Sequence, residues 1–262
     1  VTAIGRGAVR GAVLLAGLTG YGTSMAMMVR AGLGLDPWDV FHQGLALRTG
    51  MTIGTASAVV GVAVLLAWIP LRNRPGIGTV ANVVVIAVTV DVALSLIATP
   101  QSLPARAALM VAAVVLNAMS TVLYIGAGLG PGPRDGLMTG LVVATGRSVR
   151  LVRTTIEVTV LTLGWLLGGT VGVGTVAYAF GIGPLVQLFV RLVPQRLLAV
   201  GGWAQVRPRG LTTMGGCQPT PKMKNQQPIK TCSSTSQRSR CGATADCSSG
   251  PSPGRWSSTN AG

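Results

Sequence analysis

The amino-acid sequence predicts an all-α membrane protein. It reads as six transmembrane helices in two inverted three-helix repeats, each with a short re-entrant or interfacial helix, plus a disordered C-terminal tail. Three observations lead there. Charged residues make up only 10% of the chain and hydrophobic ones 49%, with a mean hydropathy of +0.57. An ordinary soluble domain carries about 25% charged residues, so this chain lacks the polar groups to cover a globular surface. Six long apolar stretches occupy the first 200 residues. The sequence also repeats itself at an offset of 96 residues.

The apolar stretches are 9–29, 53–71, 77–98, 107–127, 154–169 and 173–193. A spanning helix needs roughly 20 mostly apolar residues. All but 154–169 reach that range unaided, and that one must borrow from its flanks. The first stretch follows Arg6 and Arg10, and Ser24-Met25-Ala26 has the small residues of a signal-peptide cleavage site. Its length and its later counterpart favour a retained span.

That counterpart belongs to the repeat. Gly32-Leu33-Gly34 aligns with Gly128-Leu129-Gly130, Pro37 with Pro133, Asp39 with Asp135, Gly44-Leu45 with Gly140-Leu141, and Gly78-Thr79-Val80-Ala81 with Gly174-Thr175-Val176-Ala177. Across 32–91, 20 of 60 ungapped pairs are identical. Shared hydrophobicity would not bring Gly, Pro, Asp and Thr into register. The units are repeat 1 at 1–98, repeat 2 at 99–200 and the tail at 201–262.

Arginine placement predicts orientation, because cytoplasmic flanks carry the excess. One side collects Arg6, Arg10, Arg72, Arg74, Arg134, Arg147, Arg150, Arg153, Arg191 and Arg196; the other has Arg30, Arg48 and Arg106. Both termini are then expected in the cytoplasm. An odd number of spans per unit inverts the second copy, as in many secondary transporters.

The tail is of another kind. Residues 1–200 hold 13 Arg, no Lys and five acids; residues 201–262 hold five Arg, three Lys, one acid and all four cysteines. The tail is rich in Ser, Thr, Gly, Pro and Gln, and too poor in apolar residues to offset chain entropy. It is expected to be disordered, cytoplasmic and dispensable for insertion. Its cysteines, Cys217, Cys232, Cys241 and Cys247, form no CxxC pair and have no neighbouring histidine, so no metal site is expected and the thiols should be free. The abrupt change of composition also fits a frameshifted end.

The polar residues inside this apolar frame are the candidates for function. Asp36-Pro37-Trp38-Asp39 and Gly132-Pro133-Arg134-Asp135 each read as a helix start, with proline at the first helical position and an acid near the positive end of the dipole. The segments they open, 38–48 and 134–145, are too short to span. They are either capped surface connections or half-helices lining a wet cavity. His42, the sole histidine, is either a relay partner of Asp39 or an interfacial side chain.

Asp91 falls well inside the third stretch, with Gln187 as its repeat mate. It is read either as an unpaired, titratable functional carboxylate or as an interhelical contact. Arg153 and Glu157 share a helix face, as an ion pair of structural or functional use. Asn82 and Asn117 are expected in interhelical hydrogen bonds.

Several of these motifs together, Gly-Leu-Asp-Pro-Trp-Asp at 34–39, Gly-Pro-Gly-Pro-Arg-Asp-Gly-Leu-Met at 130–138, Arg-Thr-Thr-Ile-Glu-Val at 153–158, Gly-Trp-Leu-Leu-Gly-Gly at 164–169 and Gly-Val-Gly-Thr at 172–175, resemble the YczE family. This is a group of bacterial multi-pass membrane proteins related to the YitT/YyaS type. The resemblance covers roughly residues 10–195 and implies a bacterial inner-membrane protein. It supplies no substrate and no catalytic residue, though a link of some relatives to lipopeptide production implies an accessory role.

The function expected from the residues is a small-solute or ion transporter. The alternative is a non-transporting accessory factor for a biosynthetic enzyme or partner protein. An enzyme is not expected: no Walker loop or HExxH motif is present, and no serine motif stands with His42. No cofactor is expected. The expected partners are the lipid bilayer, a small solute or ion, and a second copy of the chain. Nucleic acid is excluded, because the basic residues behind the net charge of +15 punctuate apolar runs instead of forming a face.

Topology is open to direct measurement. Reporter fusions at residues 40, 73, 103, 140 and 171 should read outside, inside, outside, inside, outside. Residues 40 and 140 on the same side of the membrane would defeat the inverted arrangement.

Overall fold

The computed structural model describes residues 3–192, with side chains from residue 7 onward. The tail at 201–262 and its cysteines lie outside the described residues. Eight helices follow one another: α1 (Ala3–Ala31), α2 (Pro37–Thr49), α3 (Ile53–Ala67), α4 (Ile77–Leu96), α5 (Leu103–Gly126), α6 (Pro133–Thr145), α7 (Val149–Leu166) and α8 (Val173–Leu192). Among the described residues there is no strand.

The 96-residue offset is visible in the backbone. Adding 96 to the first residue of α2, α3 or α4 gives the first residue of α6, α7 or α8. The local devices repeat as well. Gly32 (φ 60°) corresponds to Gly128 (φ 62°), and Gly34 (φ 120°) to Gly130 (φ 133°). These left-handed positions turn the chain sharply after α1 and α5 at little cost, since glycine has no Cβ. Gly50 and Gly146 end α2 and α6 in the left-handed C-cap conformation. Each repeat thus contains four helices, one short and three longer.

α1 and α5 form the central pair. Gly17 and Gly20 bring α1 so close to α5 that a Cβ on Gly17 would stand 2.7 Å from the Tyr124 backbone nitrogen. Small residues permit this approach where lipid offers no hydrophobic drive for helix association. Reciprocal bonds fix the direction. Arg10 donates from Nε to Ala127 O (2.9 Å) and from Nη2 to Gly128 O (2.9 Å), at the end of α5. Arg106 donates from Nε to Ala31 O (2.6 Å) and from Nη2 to Gly32 O (2.8 Å), at the end of α1. Each arginine caps the carbonyl end of the other helix, so α1 and α5 run antiparallel. The loops cross over in the same reciprocal way: Gly174 N–H donates to Leu33 O (2.8 Å) and Gly78 N–H to Leu129 O (3.0 Å).

α4 packs beside α1 and α8 beside α5, while α2 packs on α7 and α3 on α6. One pairing breaks the pattern: α3 packs along α4, but their counterparts α7 and α8 do not pack along each other. Burial agrees. α3 and α4 bury Gly54, Ala56, Val60, Val64, Gly78, Thr79, Ile86, Val90 and Ala93, whereas α7 and α8 bury only Val152, Gly164, Gly174 and Thr175.

α1, α4, α5 and α8 are long and apolar enough to cross a membrane. α2 and α3 meet at 113° and pass that test only as one bent span. The stretch expected to continue to residue 71 stops as α3 at Ala67, about 22 Å long at 1.5 Å per residue. Trp68 turns the chain, with Arg72 in the left-handed region at φ 54°. α7 has 18 residues but begins with Arg150, Arg153 and Glu157.

The reciprocal arginine caps should be worth measuring separately. Arg10→Ala and Arg106→Ala each remove a charged donor pair from helix-end carbonyls, at an expected cost of about 1–3 kcal/mol. They act on opposite helix ends, so the losses should add within about 0.5 kcal/mol. Thermal unfolding of the single and double variants in detergent would check this.

Candidate functional site

The starts of α2 and α6 meet at the centre of the bundle. Asp36 caps α2 by accepting the Asp39 N–H at 2.7 Å, and Pro37 takes the first helical position. This start turns Asp39 and His42 inward on one face, three residues apart. Both are buried, as is Asp36. The corresponding start of α6, Gly132 followed by Pro133, projects Arg134 and Asp135 toward them.

Arg134 bridges the two halves. Its Nη1 lies 3.5 Å from Asp36 Oδ2 and 3.3 Å from the Tyr21 hydroxyl, and its Nη2 lies 3.3 Å from Asp39 Oδ1. Its guanidinium carbon stands 5.1 Å from the centroid of the Trp38 ring, within cation–π range. Trp38 and Arg134 are repeat mates, so the same position in the two copies supplies both members of this contact. Two carboxylates in an apolar interior require such a counter-charge. His42 Nδ1 sits 3.5 Å from Asp39 Oδ1. Neither that nitrogen nor Asp39 Oδ2 has a hydrogen-bond partner.

Around this bridge lies a cavity of about 430 Å³. Tyr21, Tyr124 and Tyr178, which are all the tyrosines in the chain, line it. Tyr21 and Tyr124 meet edge to face, centroids 6.1 Å apart. The Tyr124 hydroxyl donates to Asp135 Oδ2 at 3.1 Å. The Tyr178 hydroxyl donates to Asn117 Oδ1 at 3.1 Å, and Asn117 Nδ2 to Ser24 Oγ at 2.9 Å. Arg153, Glu157 and Gln187 complete the polar wall from α7 and α8.

The structure therefore gathers Asp36, Arg134, Asp135, Arg153, Glu157 and Gln187 at one cavity, with Asp39 just beneath its wall. It separates Asp91 from them. The reading of Asp91 as an unpaired carboxylate is corrected. Its Oδ2 accepts from Thr52 Oγ1 at 2.6 Å and its Oδ1 from Gly54 N–H at 2.8 Å. Free N–H groups in the first turn of α3 attract the carboxylate of the neighbouring helix. The reading of His42 as an interfacial side chain is corrected too, since His42 is 3% exposed. α2 is not a surface connection: Trp38, Asp39, Val40, His42, Gly44 and Ala46 are buried along it. Arg153 and Glu157 pair at 2.8 Å, as their spacing predicts, on a mostly exposed face.

Sequence reasoning missed the tyrosines, Trp38 and Ser24. A signal existed in the repeat. Tyr21 aligns with Asn117, and Asn82 with Tyr178, so polar side chains recur at two registers of helices that are otherwise apolar. All four residues line the cavity or bond to its wall.

Fold and site together define a polytopic α-helical membrane protein with a charged, aromatic-walled cavity at the meeting of two repeats. The chain belongs to the DUF6198 family, a family of unknown function whose profile matches residues 8–191. It is 40% identical over 181 residues to an uncharacterized protein of Haemophilus influenzae, covering 69% of this chain and 83% of that one. It is 33% identical over 190 residues to the uncharacterized membrane protein YczE of Bacillus subtilis, covering 69% and 87%. It is 22% identical over 179 residues to YyaS of the same organism, covering 67% and 89%. No solved structure matches.

The arginine bridge makes a stability prediction. Arg134→Gln leaves Asp36 and Asp39 buried without their cation and should cost about 3 kcal/mol. Arg134→Lys should recover little, because a point charge cannot span both carboxylates and stack on Trp38. Combining Arg134→Gln with Asp39→Asn should restore part of the loss, read as the midpoint of thermal unfolding.

Proposed function

We propose that this protein is a carrier for a small solute or ion in the bacterial inner membrane, with six spans, both termini cytoplasmic, and its two halves inverted about the cavity. The count of six takes α2–α3 as one bent span and α6–α7 as its counterpart. The observation that carries the proposal is the broken symmetry around the cavity. The seam between α3 and α4 is closed, and the equivalent seam between α7 and α8 is open. The carrier reading requires the two copies of this unit to exchange these arrangements. Exchange would open the cavity first to one side and then to the other, as alternating access requires. The cavity volume suits a small molecule.

Cross-linking tests this. A Cβ on Gly61 would lie 3.6 Å from the Cβ of Val83 across the closed seam, within disulfide range. The repeat mates are Glu157 and Ala179. In a background with Cys217, Cys232, Cys241 and Cys247 changed to Ser, Gly61→Cys with Val83→Cys should oxidise readily. Glu157→Cys with Ala179→Cys should also oxidise, more slowly, through the exchanged state. A second pair that never forms while the first forms fully would leave a static bundle and favour an accessory factor.

A further inference from the structure

We infer that the cavity binds a small organic cation, an amine, quaternary ammonium or guanidinium. This rests on the carrier reading and names the substrate class for the same site. The first observation is the charge of the wall. Asp36, Asp135 and Glu157 line it against Arg134 and Arg153, and Asp39 adds a fourth carboxylate beside Arg134. Arg153 is matched by Glu157 at 2.8 Å. Arg134 must serve Asp36 and Asp39 together, at 3.5 and 3.3 Å, while Asp135 accepts from the Tyr124 hydroxyl and is in no direct ion pair among the described residues. Four carboxylates thus share two guanidiniums around this space.

The second observation is aromatic. Tyr21, Trp38, Tyr124 and Tyr178 surround the same space, and ring faces with nearby carboxylates are the chemistry that recognises alkylammonium and guanidinium groups. The chain itself demonstrates this preference: Arg134 lies over Trp38, held there by contacts of 3.3–3.5 Å, the long end of hydrogen bonding. The third observation is unspent capacity. His42 lines the cavity, is 3% exposed, and keeps Nδ1 without a hydrogen-bond partner.

The test uses the full chain in detergent and follows thermal unfolding. Tetramethylammonium, ethylammonium and methylguanidinium chlorides are titrated against sodium chloride at matched ionic strength. Sodium acetate and glycine are run alongside. At least one of the cations should raise the midpoint saturably by several degrees, as a ligand of the folded state does. Glu157→Gln, on an exposed pair that the fold does not need, should weaken that binding at least fivefold. Asp135→Asn should weaken it as much or more. Saturable stabilisation by acetate or glycine with none by the cations would overturn the cation assignment and leave a solute cavity. No saturable shift with any of the five compounds would overturn the solute-binding reading as well.

Discussion

The bundle depends on one electrostatic constraint: two carboxylates from the first repeat lie in an apolar interior, and their cation comes from the second. Neither half can bury its own share of that arrangement. Asp36 and Asp39 without Arg134 would be stranded charges, and Arg134 without them would sit in a poor solvent. The bridge therefore ties association of the halves to neutralisation of the site. It also explains why the starts of α2 and α6 must meet, and why short helices rather than spanning ones carry the charges. A short helix can place its first turn at depth, where protein instead of lipid faces the exposed backbone.

Around that constraint the packing is lean. α1 and α5 touch through glycines, and their ends are closed by arginines reaching across from the opposite repeat. Backbone carbonyls at a helix end need partners wherever water is scarce. A long side chain from the antiparallel neighbour provides them without an added loop. The same economy appears at Asp91, which serves the first turn of α3 from a different helix.

How far the sequence could be read follows from what each feature depends on. The helices were legible, because hydrophobic runs and proline–acid starts are local. The repeat register was legible to the residue, and it relates the starts of α2, α3 and α4 to those of α6, α7 and α8. The shortening of α3 was not, since Trp68 is apolar and only its hydrogen bond from Nε1 to Pro133 O reveals that it turns away to pack beneath α6. For Asp91 the sequence left two readings, and the interhelical contact is the one found, for a similar reason. A carboxylate in an apolar run looks unpaired until the neighbouring helix start is located, and that is a matter of tertiary position. The gathering of Asp36, Arg134 and Asp135 was foreshadowed by motif pairing, whereas the tyrosines looked like ordinary members of apolar helices.

The stacking of Trp38 with Arg134 joins two copies of one position, and this bears on why the halves are covalently joined. In a symmetric pair of separate half-chains, that position would hold the same residue twice. Two tryptophans would leave the acids unmatched, and two arginines would repel across the axis. Joining the copies in a single gene frees each to drift alone, so one can supply the ring and the other the charge. Tyr21 with Asn117, and Asn82 with Tyr178, have diverged in crossed fashion at a second pair of registers. Once complementary differences of this kind accumulate, neither half can be replaced by a second copy of the other, and the duplication becomes irreversible.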